Sequence, residues 1–162
     1  MSTAAPLVAP RERRTARASD IPAESSTGDL IHRLDQRWTS VFARKVGKHH
    51  KATPRQISLL KAAADNDGAS QTDLVRATGV DRSTVAEITR RMVRRGLLTR
   101  RRTREDARTY AVKITEEGAK LVAATAAATA AAQEELLGAL AKPERKLFLD
   151  MLDRVAARVD ET

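Results

Sequence analysis

The hydrophobic spacing of this sequence changes period in mid-chain, and that change limits the folds open to it. Before Gly96, apolar residues recur at three- and four-residue intervals, the period of helices with one buried face. In residues 98–102 and 110–114, polar and apolar residues tend instead to alternate, which is typical of strands. We therefore predict a mainly α fold with one small antiparallel β-hairpin.

Two helices are predicted in the first half of the chain. Apolar residues between Leu30 and Phe42 lie on one helical face, and this first helix is expected to end before Gly47. The motif Thr53-Pro54-Arg55-Gln56 offers a capping hydroxyl, a proline suited to the first turn and a Gln that can reach back, so a second helix begins there. Its expected inward residues are Ile57, Leu60 and Ala64.

Two further helices follow within a tight turn of each other. The motif Ser70-Gln71-Thr72-Asp73 is a capping box that predicts the third helix, which Gly79 ends. Asp81 is the expected N-cap of a fourth helix over residues 82–95, which Gly96 ends. Its helical spacing predicts a buried side formed by Val85, Ile88 and Met92 and an exposed side formed by Ser83, Glu87, Arg90, Arg91 and Arg94.

The ends of the chain differ in composition from its middle. Residues 1–25 hold three of the five prolines with Ser, Thr and arginines, so we predict a flexible basic arm. Thr115-Glu116-Glu117 is expected to cap an alanine-rich helix that reaches about Leu140, and Pro143 to open a last helix. Charges flank the alanine run too closely for a membrane span, and small side chains favour close helix packing.

The positive charge of the chain is concentrated in residues 76–113. This segment carries twelve basic and four acidic side chains, close to the whole formal net charge of +9. A charge confined to one pair of elements creates a local field suited to a polyanion. A short helix, a tight turn, a second helix with a basic outer side and a hairpin are also the parts of a winged helix-turn-helix, whose second helix enters the DNA major groove.

The residues from Ser70 to Gly118 resemble the MarR family of bacterial winged-helix regulators. The resemblance rests on D-R-S-T-V-A-E-I-T-R-R-M-V-R-R-G-L-L, a D-x-R wing formed by Asp106 and Arg108, and V-K-I-T-E-E-G. It implies a homodimer joined through the first and last helices, a pseudo-palindromic double-stranded DNA operator with half-sites one helical turn apart, and control by a small-molecule effector. Residues 26–162 are expected to form one domain, with a DNA-binding lobe at 53–115 and a dimerisation lobe at 29–47 and 116–160.

The predicted DNA contacts fall into three groups. Side chains on the fourth helix approach base edges, the N-terminus of the third helix approaches a phosphate or serves only as a cap, and the hairpin arginines contact phosphate. The family inserts the wing arginine matched by Arg108 in the minor groove, and Asp106 would hold it. The predicted residues are Ser70, Gln71, Thr72, Ser83, Thr84, Ala86, Glu87, Arg90, Arg91, Arg101, Arg104, Asp106 and Arg108.

Glu87 departs from the family pattern, which often has a basic or small residue at this position. A carboxylate in the groove is repelled by phosphate unless it accepts a hydrogen bond from cytosine or pairs with an arginine. We favour pairing of Glu87 with Arg90 or Arg91, which would make Glu87 an orienting residue, and the cytosine contact stays open.

The resemblance also implies an effector pocket and a dimer interface. The effector residues are predicted as Arg37, Trp38, Phe42, Arg44 and His49, with the two aromatic rings stacking on an aromatic ligand and a cation meeting its anionic group. The dimer interface is predicted as Leu30, Ile31, Leu34, Leu147, Phe148, Met151, Leu152, Val155 and Val159, with packing inside one chain as the alternative.

Several other classes of function are disfavoured by the sequence. The chain has no cysteine, and its three histidines lack the companions of a metal site, so we expect neither metal nor cofactor. No catalytic constellation stands out, and we expect no enzymatic activity. The prediction is a cytoplasmic, nucleoid-associated repressor, with a constitutive architectural DNA-binding protein and a catalytic or metal-dependent module as alternatives.

Overall fold

The computed structural model describes residues 26–102 and 110–159, which form two compact units divided between Leu34 and Asp35. Most of the described residues are helical, with one two-stranded sheet. The elements are α1 (Thr27–Phe42), a π-helical turn (Ala43–Gly47), α2 (Lys48–His50), α3 (Pro54–Asp65), α4 (Gln71–Thr78), α5 (Arg82–Arg94), β1 (Leu98–Arg102), β2 (Tyr110–Ile114), α6 (Glu116–Leu136), a 3₁₀ turn (Leu137–Ala139) and α7 (Lys142–Val159).

The predicted capping residues begin the helices. Thr53 and Ser70 each form a complete capping box, with Gln56 and Asp73 as the reciprocal partners. The Thr115 Oγ1 accepts a hydrogen bond from the Gly118 amide at 3.0 Å and caps α6 without a reciprocal side-chain partner. Each cap satisfies an amide that the first turn of a helix leaves without a partner, which fixes the helix start locally.

Gly79 ends α4 with a left-handed backbone. Its φ is +62°, and its amide donates to the Val75 carbonyl oxygen at 2.9 Å. Glycine adopts this conformation without the steric cost that a side chain would add. The chain can therefore turn within the three residues 79–81 and start α5 directly after α4.

The hairpin has the predicted strands, which pair along their whole length. Leu98 pairs with Ile114, Arg100 with Val112, and the strands are antiparallel. An isolated bridge between Ala69 and Val112 ties the start of α4 to β2, with the Val112 amide donating to the Ala69 carbonyl oxygen at 2.9 Å. The hairpin is thus anchored next to the α4–α5 pair.

Gly118 allows α6 to pack closely against the hairpin base. A Cβ atom at this position would lie 2.2 Å from the Leu97 carbonyl oxygen and 2.8 Å from Ile114. Contacts that short do not occur in proteins, so a larger residue would force the helix and strand apart. The glycine of the I-T-E-E-G motif is therefore a packing requirement.

The core lies within the unit that begins at Asp35. Its central residues come from several elements, including Leu60 of α3, Leu74 of α4 and Met92 of α5, each fully buried. The predicted inward residues Ile57 and Leu60 are buried, whereas Ala64 is exposed and the prediction for it was wrong. Ala64 lies in the last turn of α3, one residue before the helix ends. The burial of α3 is spread over several sides of the helix and includes Leu59, Ala62 and Ala63.

Two helix ends differ from the prediction. α1 passes into the π-helical turn at Ala43, and α6 ends at Leu136 before a 3₁₀ turn, not at Leu140. Boundaries of this kind depend on tertiary packing and on tightening of the last turn, which leave little local signal. None of the helices in residues 26–102 and 110–159 combines the length and the apolar character that crossing a membrane requires.

Candidate nucleic-acid interface and adjoining clefts

The N-terminus of α5 is fixed by Asp81. Its Oδ1 accepts hydrogen bonds from the Ser83 hydroxyl at 2.5 Å and from the Thr84 amide at 2.9 Å. These bonds, that of Ser83 first, hold the pKa of Asp81 well below its ordinary value. The carboxylate therefore stays ionised, complements the positive end of the helix, and orients the Ser83 hydroxyl.

The outward side of α5 carries the polar residues that the sequence placed there. We call Ser83, Glu87, Arg90, Arg91 and Arg94 the α5 polar face; all five are exposed. The opposite side is buried, with Val85 and Met92 fully inside and Ile88 half-buried. Thr84 and Ala86 lie half-buried at the two flanks of this face. The helix thus presents hydroxyls, a carboxylate and arginines outward on a rigid, buried base.

Glu87 is paired with Arg91, one turn later on α5. The two side chains form a hydrogen-bonded ion pair and are each 55% exposed. Arg90 takes a different course, with its Nε donating to the Ala86 carbonyl oxygen at 3.4 Å. Of the two arginines named from the sequence, Arg91 is therefore the partner of Glu87.

The start of α4 lies beside the start of α5. Gln71 Nε2 donates to the Arg82 carbonyl oxygen at 3.1 Å and joins the two helices. Ser70 Oγ donates to Asp73 Oδ2 at 2.7 Å and accepts from the Asp73 amide at 3.2 Å. The Ser70 hydroxyl, and after it the Ser70 amide at 2.9 Å, donates to the Asp73 carboxylate and lowers the pKa of Asp73. The Ser70 hydroxyl therefore acts as a helix cap, whereas Thr72 is exposed.

A small cleft of about 230 Å³ lies between the start of α4, one flank of α5 and the hairpin. We call it the α4–hairpin cleft. At the edge of this cleft, the Arg100 guanidinium lies over the Tyr110 ring, 3.7 Å from the ring centre. This cation–π contact holds the arginine against the sheet. The lining residues are Ser70, Gln71, Thr72, Arg82, Ala86, Thr89, Arg90, Arg100, Tyr110 and Val112.

The hairpin adds exposed positive charge beyond this cleft. Arg101 is exposed, and Lys113 Nζ lies 2.7 Å from Asp67 Oδ2 in an ion pair that joins the hairpin to the loop before α4. The predicted contacts Arg104, Asp106 and Arg108 lie outside the described residues. Within the described part, the basic hairpin and the α5 polar face therefore both present cations to solvent.

A larger cleft of about 750 Å³ lies on the other flank of α5, within the unit 35–162. We call it the α1–α3–α5 cleft. Trp38 and Phe42 line it with their rings in an edge-to-face arrangement, 5.5 Å between centroids. Its volume lies in the range of small-molecule sites. The lining residues are Asp35, Gln36, Trp38, Thr39, Phe42, Thr53, Pro54, Arg55, Gln56, Ile57, Ser58, Lys61, Thr78, Val80, Thr84, Glu87, Ile88, Arg91 and Thr129.

The cations of this cleft differ from those predicted. Arg37, Arg44 and His49 are not among its lining residues, and Arg44 is paired with Glu135 of α6. Lys45 also lies 3.1 Å from Glu135 and, with Arg44, lowers the pKa of that carboxyl. The cationic lining consists of Arg55, Lys61 and Arg91. The sequence held a signal for the two cations on α3. Arg55 and Lys61 are spaced with Ser58 at three-residue intervals, which indicates one polar side of this helix.

The helix α7 buries none of its described side chains in the single chain. Four predicted interface residues on it are exposed, namely Leu147 (56%), Met151 (51%), Leu152 (37%) and Val155 (61%), while Phe148 is half-buried. Of the predicted residues in α1, Leu30 and Ile31 are exposed and Leu34 is half-buried. The side chain of Val159 lies outside the described residues. An exposed apolar side on an 18-residue helix is typical of an interaction surface.

No group of three or more His, Asp or Glu side chains arranged to hold a metal occurs among the described residues. His32 and His49 are exposed and His50 is half-buried.

The α4–turn–α5 unit with its exposed basic face, followed by an antiparallel hairpin, defines a winged helix-turn-helix protein. The sequence model of the MarR family matches residues 52–109. The transcriptional regulator HosA of Escherichia coli is 32% identical over 125 residues, which cover 77% of this chain and 93% of HosA. This chain belongs to the MarR family, as its sequence motifs indicated.

Solved structures of similar proteins agree with this assignment. The PcaV transcriptional regulator of Streptomyces coelicolor, in complex with its natural ligand, matches with a TM-score of 0.76 and 31% identity over 81% of this chain and 92% of PcaV. BpsR of Bordetella bronchiseptica, whose DNA binding is regulated by 6-hydroxynicotinic acid, matches with a TM-score of 0.74 and 26% identity over 82% of this chain and 94% of BpsR. HosA and PcaV are transcriptional regulators.

Proposed function

We propose that this protein is a homodimeric repressor that binds a pseudo-palindromic operator in a bacterial genome and is released by a small anionic ligand. The observation that carries the proposal is the α5 polar face, exposed on a buried base beside a basic hairpin. A helix presented in this way fits the major groove, and the hairpin then reaches the flanking minor groove. Such a protein acts in the cytoplasm, at the nucleoid.

Contacts to base edges are assigned to α5. Ser83, Thr84 and Ala86 are small enough for close approach to bases and thymine methyl groups, and Arg90 and Arg91 have the length to reach guanine or phosphate. Arg101 and Arg104 are assigned to phosphates, which contribute affinity without sequence information. Arg108, held by Asp106, is assigned to the minor groove.

The start of α4 is assigned to a backbone phosphate. Gln71 and Thr72 lie at a helix N-terminus beside Arg82 and Arg100, where amides and cations converge on the α4–hairpin cleft. Ser70 contributes as the cap that holds this terminus in place. The Asp73 carboxylate lies close by, bonded to Ser70, so the cations are needed to offset its charge.

A second copy of this chain is assigned to the exposed side of α7. A twofold interface uses the same surface on both copies, so Leu147, Met151 and Val155 would meet their own counterparts or close neighbours. Obligate interfaces of this kind are apolar, as is this side of α7. Leu30, Ile31, Leu34, Phe148, Leu152 and Val159 remain assigned to the same interface by the family resemblance.

The α1–α3–α5 cleft is assigned to the effector. The Trp38 and Phe42 rings suit an aromatic ligand, and Arg55, Lys61 and Arg91 suit its anionic group. The relatives PcaV and BpsR, which are bound by a natural ligand and regulated by 6-hydroxynicotinic acid respectively, support a ligand of this class.

The DNA proposal is tested by selecting duplexes from a random pool with the purified protein and measuring the affinity of the best duplex against random DNA. A regulator should prefer its operator by about 10³ or more at physiological salt. A ratio near one would instead favour the constitutive architectural protein.

The effector assignment is tested by titrating 6-hydroxynicotinate and benzoate against the protein by calorimetry. Arg55→Gln and Lys61→Gln should weaken the binding of whichever carboxylate binds the wild type. Arg37→Gln is the matched control, since Arg37 is cationic and exposed but does not line the cleft. Weakening by Arg37→Gln alone would place the ligand elsewhere.

A further inference from the structure

One ion pair belongs to both the candidate DNA surface and the candidate ligand cleft. Glu87 and Arg91 are members of the exposed α5 polar face, and both also line the α1–α3–α5 cleft. Glu87 is bonded to Arg91. Any group that draws Arg91 into the cleft therefore changes the charge that α5 presents to DNA.

Glu87 affects DNA affinity because its carboxylate is exposed on α5, the helix assigned to the major groove. A carboxylate on the recognition helix faces the phosphates of both DNA strands and is repelled by them. Pairing with Arg91 cancels most of this charge, and an i,i+4 pair of this orientation is favourable on a helix. With Arg91 engaged elsewhere, Glu87 would present an unpaired negative charge at the DNA surface.

We propose that the Glu87–Arg91 pair is the element through which an anion in the α1–α3–α5 cleft lowers DNA affinity. A bound carboxylate competes with Glu87 for the Arg91 guanidinium, and the freed Glu87 carboxylate repels the DNA. In this scheme Arg91 is a positioning residue for Glu87, and α5 need not move for the ligand to act. The proposal rests on the assignment of the cleft to an anionic ligand.

Ser58 allows the test to be made without knowing the ligand. This exposed residue lies between Arg55 and Lys61 on α3 and lines the same cleft as Arg91. Ser58→Glu places a carboxylate in the cleft, and Ser58→Gln is its neutral counterpart of equal size. The two variants are made in the wild-type background and again in the Arg91→Gln background, and duplex affinity is measured by fluorescence anisotropy.

In the wild-type background, Ser58→Glu should weaken DNA binding relative to Ser58→Gln by at least about threefold more than it does in the Arg91→Gln background, where no guanidinium remains to be drawn away from Glu87. A coupling of this size is expected between neighbouring residues. The general effect of an added negative charge is the same in both backgrounds and cancels in this comparison. Raising the salt concentration should shrink the coupling, because the repulsion is screened. Equal weakening in the two backgrounds would overturn the proposal.

A second cycle tests the positioning role directly. Arg91→Gln should weaken duplex binding by about threefold or more, and adding Glu87→Gln should restore the affinity, because the carboxylate that Arg91 neutralised is then gone. Arg90→Gln is the comparison variant, since Arg90 is also assigned to DNA but bonds to the Ala86 carbonyl oxygen. A double variant that binds duplex as weakly as Arg91→Gln alone would refute the proposal. Because both cycles can be read on random duplexes, their failure is distinct from failure to select an operator.

Discussion

Replacing Leu147 with alanine should weaken the proposed dimer by an amount that the structure allows us to calculate. The change removes three carbon groups, worth about 2.4 kcal/mol when fully buried. Leu147 is 56% exposed in the single chain. Burying this exposed part against a partner is worth about half of the full value, or roughly 1 kcal/mol. Twofold symmetry counts the loss twice, which gives about 2–3 kcal/mol and a roughly 30- to 150-fold rise in the dimer dissociation constant.

Sedimentation equilibrium over a range of protein concentrations measures this constant directly. Leu149→Ala is the matched control, because Leu149 is also exposed (40%) but lies about 200° away from Leu147 around the same helix. Its dissociation constant should stay within a fewfold of the wild-type value. A Leu147→Ala protein that dimerises as tightly as the wild type would refute the assignment of α7 to the interface.

Three further changes test other parts of the proposal. Arg101→Ala should lower affinity for operator and random duplex alike and reduce the slope of log affinity against log salt by about 0.9, the loss of one phosphate contact; a loss confined to the operator would contradict this role. Arg108→Ala should weaken binding most for operators with A·T-rich flanks, and equal loss for G·C-rich flanks would argue against minor-groove insertion. Glu135→Gln should make thermal stability less sensitive to acid: the pKa of Glu135 is lowered by folding, so its contribution is present above its ordinary value of 4.5 and is lost as pH falls below it. Parallel loss of melting temperature in both proteins down to about pH 3 would contradict that contribution.

The sequence predicted the elements of the DNA-binding lobe because their signals are local. Thr53, Ser70, Asp81 and Thr115 act within three residues of the helices that they begin, and the alternation in 98–102 and 110–114 specifies its own strands. Even the Glu87–Arg91 pair is local, one helical turn apart.

The full lining of the α1–α3–α5 cleft could not be predicted, because its residues come from distant parts of the chain. Arg44 was expected to meet a ligand, but an ion pair with Glu135, 91 residues away, engages it. No periodicity within α1 encodes that contact. The burial of Leu59, Ala62 and Ala63 likewise depends on elements that surround α3 on several sides, so a single amphipathic stripe could not describe this helix.

The distribution of charge gives an energetic reason for the interface to face outward. Among the described residues of 76–113, the ion pairs are Glu87–Arg91 and Lys113–Asp67, so two acids offset a much larger set of cations. Such an excess repels itself, and folding alone does not relieve it. A DNA backbone does relieve it, because each neutralised phosphate also releases condensed counterions. The pairing of Glu87 with Arg91 preserves this positive field, because an unpaired carboxylate at this surface would weaken it.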